Sequence, residues 1–146
     1  MCGVPRQRLQ TKVLAHPDRR TDIRSTIQVA AQEYALDEPG IERVLIVLSD
    51  SPQDDGAMNF AASPSLQNID SAKTRARQLA NSQHLPQPMH VFLGSLRSNE
   101  IKQLGRERRA AIIAFWKEYF SAMGSTPAFV VDGPSVVAGL PMSYIR

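Results

Sequence analysis

The sequence predicts an α/β fold in which a mostly parallel sheet is covered by helices, and two observations support this. Apolar runs typical of strands stand at 44–48, 89–94 and 128–132. Stretches with apolar residues at three- and four-residue steps, typical of helices, precede and separate them. The predicted order is helix, strand, helix, strand, helix, strand. Right-handed crossovers would make the three strands parallel.

The first predicted helix begins at Thr21 or Asp22, which are both suitable N-caps. Apolar residues then recur at helical spacing, starting with Ile23 and Ile27. The helix is expected to end before the Asp-Glu-Pro-Gly sequence at 37–40. The hydroxyl of Thr21 and the carboxylate of Asp22 thus lie at the N-terminus of this predicted helix.

The first predicted strand, 44–48, is apolar throughout and is followed by Ser49 and Asp50. A buried parallel strand of this kind delivers an acidic group to the rim of a sheet. Thr21 would reach the same rim from the adjacent loop. A hydroxyl and a carboxylate at one edge suit oxygen ligation of a hard divalent cation such as Mg²⁺ or Mn²⁺.

The remaining elements follow the same alternation. A loop rich in Ser, Pro, Asp, Gly and Asn at 51–65 precedes a second helix, which starts near Asn68. A long third helix is predicted over 100–123, with Gly124 as its C-terminal cap. Trp116 and its aromatic neighbours could form a ligand-binding box, but at helical spacing Phe115, Tyr119 and Phe120 are interpreted as core.

Length and composition limit the domain organisation. With 146 residues and 42% hydrophobic content, the chain can form one domain with a real core. Residues 21–146 are assigned to this domain, and residues 1–20 are predicted to be a basic leader or remnant that is poorly ordered. The sequence has no apolar run long enough to span a membrane and no secretory signal. As written, the chain is expected to be cytoplasmic, although a longer parent could be exported.

Charge and composition argue against several classes of site. A net charge of +3 is small for this length, and the arginine clusters lie beside or within predicted helices with few interleaved aromatics. This pattern favours solvated helix faces over nucleic-acid binding. The single cysteine, Cys2, excludes an internal disulfide, and the histidines His16, His84 and His90 are too scattered for a zinc site. No Gly-x-Ser-x-Gly or phosphate-loop pattern occurs. The acidic turn at 54–56 is interpreted as a solvated loop.

Three motifs together resemble a known family, the von Willebrand factor A-like domains, especially bacterial ones. They are Thr21-Asp22 before a helix, Leu48-Ser49-Asp50 at a strand end, and Phe-Trp-Lys-Glu-Tyr-Phe at 115–120. The likeness runs from about Thr21 to about Val131, which corresponds to the C-terminal half of such a domain. The resemblance implies a three-layer, Rossmann-like sandwich that is incomplete at its N-terminus.

The same resemblance implies a remnant of the family's metal-ion-dependent adhesion site. Thr21 would be a direct ligand and Asp50 a water-mediated one, with Asp22 and Ser49 in supporting positions. The first loop of that site, Asp-x-Ser-x-Ser, has no match upstream of Thr21. Two ligand groups plus water imply weak binding of Mg²⁺ or Mn²⁺. The simpler alternative is that Thr21 and Asp22 only cap a helix and Asp50 only ends a strand.

The resemblance implies a non-enzymatic protein-interaction module with a protein partner whose identity the sequence does not give. Because the family's first strand is missing, one strand edge would be left open, and a homodimer that completes the sheet is one expected result. Two alternatives stay open. One is a small α/β hydrolase that uses Asp50 with a bound cation, and the other is an inactive fragment of a longer von Willebrand factor A-like protein.

Overall fold

The computed structural model of the chain describes residues 22–36, 43–48, 53–80, 85, 89–94, 99–125 and 128–130. Helices and strands alternate within these ranges as the sequence predicts, and the protein has an α/β fold. In chain order the elements are α1 (Ile23–Ala35), β1 (Arg43–Leu48), α2 (Ile69–Ala80), β2 (Met89–Gly94), α3 (Asn99–Gln103), α4 (Arg106–Ala122) and β3 (Ala128–Val130). A short 3-10 helix, Pro64–Leu66, precedes α2.

The three strands form one parallel sheet in the order β1-β2-β3. Leu45 is paired with Val91, and Val47 with Leu93, so these four apolar residues share one face of the sheet. Ile46 and Phe92 are paired on the opposite face. The parallel arrangement predicted from the apolar runs is therefore confirmed, whereas a third layer is not established by the described residues.

The main core lies between one sheet face and the helices. Val91 and Leu93 from β2 belong to the same buried cluster as the aromatic residues of α4. Small side chains along α2 allow it to pack closely against α4; these are Ala72, Ala76 and Ala80, all fully buried or nearly so. The prediction that Phe115, Tyr119 and Phe120 form core is confirmed, because all three are completely buried, and Trp116 beside them is completely buried as well.

The prediction of a single long helix over 100–123 is wrong in one respect. The structure divides it into α3 and α4, because Gly105 has φ of −58° and ψ of 157°, a conformation outside the helical region. The amide of Leu104 bonds the carbonyl of Ile101 at 3.1 Å in a tighter closing turn, and α4 then starts with the Arg109 amide bonded to the Gly105 carbonyl. A mid-helix glycine weakens the helix enough for this break.

The predicted cap at Gly124 is confirmed. Its φ of 85° lies in the left-handed region that glycine tolerates. The amide of Ser125 bonds the Phe120 carbonyl, and the Gly124 amide bonds the Ser121 carbonyl, both at 3.0 Å. This is the pair of bonds that defines a Schellman motif. It ends α4 sharply before β3.

The strand β1 lies at one end of the described sheet. Within the described ranges no strand pairs with its outer edge, and Ile46 at its centre is 45% exposed. The inner strand is far more enclosed, with Val91 and Leu93 fully buried. None of the helices in the described part of the chain is both long and apolar enough to cross a membrane.

Candidate functional site

The first turn of α1 meets the loop that leaves β1 at the carboxyl edge of the parallel sheet. The link between them is the side chain of Gln53, which is completely buried. Its Oε1 accepts hydrogen bonds from the backbone amides of Ile23 at 2.8 Å and Arg24 at 3.2 Å. Ligands in open α/β sheets bind at this edge. The contact therefore defines the candidate site.

Asp22 is the N-cap of α1, as one of the sequence interpretations proposed. Its Oδ1 accepts from the amide of Ser25 at 2.9 Å and from Nε2 of Gln53 at 3.2 Å, while Oδ2 accepts from the Ser25 hydroxyl at 2.5 Å. The carbonyl of Asp22 accepts from the Thr26 amide. Together with Gln53, Asp22 accepts from the amides of residues 23–26, so none of these four amides is free to bind an anion.

The surroundings of Asp22 stabilise its charged form. Burial is the largest influence and raises the pKa, but hydrogen bonds from the Ser25 side chain and backbone and from Gln53, with the charge of Arg24, outweigh it. The pKa of Asp22 is therefore lowered from its ordinary value. Since its oxygens already accept three hydrogen bonds, Asp22 orients the helix start rather than offering a free ligand.

A second connection joins α1 to the same loop. Nη1 of Arg24 lies 2.6 Å from Oδ2 of Asp55, and the two side chains are only 13% and 9% exposed. The other oxygen of Asp55 accepts from the amides of Ala57 at 3.0 Å and Met58 at 2.8 Å, which closes the turn around Gly56. The interpretation of 54–56 as a solvated loop is wrong for Asp55, because the tertiary contact with Arg24 covers its side chain.

Tyr119 of α4 lies beneath this ion pair. Burial raises the pKa of its phenol, and this effect exceeds the opposing influence of a hydrogen bond and a positive charge from Arg24. Tyr119 is completely buried. It therefore supports Arg24 from inside the core and presents no surface to a ligand.

The loop that carries Gln53 and Asp55 is itself anchored in the core. The amide of Phe60 bonds the carbonyl of Gln53 at 3.0 Å, and the Phe60 ring packs against Phe115 and Trp116 with centroid distances of 5.0 and 5.5 Å. Arg108 of α4 holds the following turn, because its Nη1 donates to the carbonyls of Phe60, Ala61 and Ser63 at 2.9 to 3.2 Å. The site is thus built on α4.

The predicted site residues Thr21, Ser49 and Asp50 lie outside the described residues. Asp22, the fourth predicted site residue, is described, and its position confirms its predicted role as a helix cap. Within the part of the chain that the structure describes, no three His, Cys, Asp or Glu side chains group together as a metal cluster. His90 is half-buried in β2, whereas His16 and His84 lie outside the described ranges.

Sequence reasoning missed Gln53. It stands in a polar loop after a proline, and no residue near it in the sequence indicates that its side chain will be buried. The only available signal is that the amides of Ile23 and Arg24 needed acceptors besides Asp22, since an N-cap satisfies one or two of the four free amides.

Comparisons with known proteins find no match to this chain among family models, curated proteins or solved structures.

Proposed function

We propose that this protein is a non-enzymatic interaction module, a partial von Willebrand factor A-like domain of three-layer type that binds a protein partner at the carboxyl edge of its sheet. In this proposal a weakly held Mg²⁺ or Mn²⁺ between Thr21 and Asp50 helps to form the binding surface. The observation that carries the proposal is the 2.8 Å hydrogen bond between Gln53 Oε1 and the Ile23 amide.

This bond joins the two chain segments to which the proposed ligands belong. Thr21 is two residues before Ile23, and Asp50 is three residues before Gln53 and two after the end of β1. Three residues of extended chain reach at most about 11 Å. The described parts of the two segments are in contact at Gln53 and Ile23, and this contact supports the proposed approach of Thr21 and Asp50 from adjacent loops.

The described contacts also support a division of roles. Because Asp22 already accepts from Ser25 and Gln53, it fits the supporting position, which leaves Thr21 and Asp50 as the proposed ligands. The positive end of the α1 dipole disfavours a cation, so the negative charges of Asp22 and Asp50 have to attract it. With two protein ligands and the remaining positions filled by water, we expect low affinity.

We further propose that the open edge of β1 pairs with a second copy of the chain. The support is the absence, within the described ranges, of a strand beside β1. A second copy would also shield Ile46, which is 45% exposed on the sheet face away from the main core. An unpaired apolar edge favours strand addition. Sedimentation of the purified chain should show a dimer, and Ile46→Lys should shift it towards monomer. A wild-type monomer at all accessible concentrations would contradict this part of the proposal.

Thermal melting tests the cation. Binding to the folded state alone should raise the melting midpoint by about 4 °C at ten times the dissociation constant. We expect this rise with millimolar Mg²⁺ or Mn²⁺ compared with EDTA, and its loss in Asp50→Asn. Asp70→Asn is the matched control, since Asp70 is an exposed carboxylate in the first turn of α2. No rise in the folded wild-type chain would exclude the proposed cation.

An activity measurement separates the module from the alternative hydrolase. We expect no cation-dependent cleavage of p-nitrophenyl acetate or p-nitrophenyl phosphate by the wild-type chain. Cleavage that disappears in Asp50→Asn but persists in Asp70→Asn would favour the hydrolase and overturn the proposed function.

A further inference from the structure

The side chain of Gln53 is a buried amide whose oxygen and nitrogen both form hydrogen bonds. Its exposed fraction is zero. Oε1 accepts from the amides of Ile23 and Arg24, and Nε2 donates to Oδ1 of Asp22 at 3.2 Å. One side chain from the loop after β1 thus contacts three consecutive residues at the start of α1.

The backbone of Gln53 is fixed independently of α1. Its carbonyl accepts from the amide of Phe60, whose ring is buried against α4, and the next residue, Asp54, forms an antiparallel bridge with Asn59. The amide group therefore extends from an anchored loop towards the helix.

We propose that Gln53 is the positioning residue of the carboxyl edge, setting the place of the α1 start relative to the loop after β1. Its effect on cation binding rests on the proposed function, whereas its effect on α1 does not. A buried amide that loses its partners is strongly unfavourable. The contact therefore favours one position of the α1 start relative to the loop.

The Arg24 to Asp55 ion pair does not replace this role. It joins α1 to the loop through a long side chain, which allows several backbone positions, whereas Gln53 bonds the α1 backbone directly. Asp22 does not replace it either, because its other hydrogen bonds are to α1 itself, from Ser25 and Thr26. Among the described contacts, Gln53 is the direct link from the loop to the helix backbone.

Two substitutions test the proposal. Gln53→Met keeps the length of the side chain but removes its hydrogen bonds, and Gln53→Asn keeps the amide but withdraws it by one methylene. The control is Asn68→Ala, because Asn68 Oδ1 accepts from the Ser71 amide at 2.9 Å and so supports the start of α2 in the same way. All three changes weaken capping interactions of a helix. We expect the largest decrease in melting midpoint from Gln53→Met, because Gln53 is buried whereas Asn68 is exposed.

The first readout is backbone amide exchange by NMR. In Gln53→Met, and more weakly in Gln53→Asn, exchange of the Ile23 and Arg24 amides should accelerate by at least about tenfold, while Asn68→Ala leaves them unchanged. If Gln53→Met does not melt cooperatively, amide exchange in Gln53→Asn alone tests the proposal. Unchanged protection of both amides in the folded Gln53 variant would overturn the proposal.

The second readout is the rise in melting midpoint on adding Mg²⁺ or Mn²⁺, which a general loss of stability would not alter. We expect this rise to fall by half or more in the Gln53 variants and to persist in Asn68→Ala. A full rise in the Gln53 variants would overturn the positioning role in cation binding. If wild type itself shows no rise, the proposed function fails, and amide exchange still decides whether Gln53 positions α1.

Discussion

Nη1 of Arg24 lies 2.6 Å from Oδ2 of Asp55, and this ion pair fastens the first turn of α1 to the loop that follows β1. Both side chains are largely shielded from water. Asp55 also accepts two backbone amides of its own turn. It therefore connects the helix to the loop and shapes the loop at the same time.

We expect Asp55→Ala to lower the free energy of unfolding by about 2–4 kcal/mol, because it leaves a shielded guanidinium and two amides without their acceptor. Arg24→Met should cost less, since Asp55 keeps its bonds to the turn. The control is Glu118→Ala, which removes the more exposed Arg77 to Glu118 pair and should cost about 0–1 kcal/mol. Urea unfolding measures all three, and equal costs for Asp55→Ala and Glu118→Ala would contradict the expectation.

Phe60 should be essential to stability although it lies in a loop. Its ring is 1% exposed and packs edge-on against Phe115. Phe60→Ala would leave a cavity and should cost about 3–5 kcal/mol, whereas Phe60→Leu should cost clearly less. The single tryptophan, Trp116, lies beside the site and reports unfolding by fluorescence. The control is Ile69→Ala, at an exposed site. If Phe60→Ala lowered the free energy of unfolding by less than Ile69→Ala does, the loop would not be anchored through Phe60.

Two glycines should differ in how far alanine lowers the free energy of unfolding. Gly124 has φ of 85°, so Gly124→Ala forces a side chain into the left-handed region and should cost about 1 kcal/mol or more. Gly105 has φ of −58°, and a methyl group there would meet nothing within 4 Å. Gly105→Ala should therefore be close to neutral. Chemical denaturation of the two variants side by side provides the comparison.

Asp22 should make part of the stability dependent on pH. Because its pKa is lowered in the folded state, its contribution is complete above the ordinary carboxyl pKa and is lost as pH falls through the folded value. At pH 7 we expect Asp22→Ala to cost about 1 kcal/mol, as for other N-caps. The difference from wild type should narrow below about pH 4.

The control for this titration is Asp22→Asn, because asparagine caps helices about as well as aspartate but carries no charge. Its stability relative to Asp22→Ala should stay nearly constant between neutral and acidic pH in urea unfolding. If the difference between wild type and Asp22→Ala stayed the same down to pH 3, Asp22 would not be the titrating group.

The sequence by itself was sufficient for most of the secondary structure. The apolar runs at 44–48 and 89–94 are strands of a parallel sheet. As predicted, Asp22 caps the start of a helix and Gly124 caps the end of one. These features depend on local patterns, such as strand hydrophobicity, side-chain oxygens before a helix, and a glycine in the left-handed region. The division of the last helix at Gly105 was missed, because a single glycine can be tolerated within a helix.

The candidate site depended on tertiary structure. Gln53 and Asp55 are ordinary polar loop residues in the sequence, and they become buried only because Phe60 anchors their loop against α4 and α1 packs across it. Contacts between residues about thirty positions apart, such as Gln53 with Ile23, leave no periodic trace in the sequence. The sequence determined which helices and strands form, since those are set by near neighbours. Only the packing of the helices on the sheet decided which polar side chains meet at its edge.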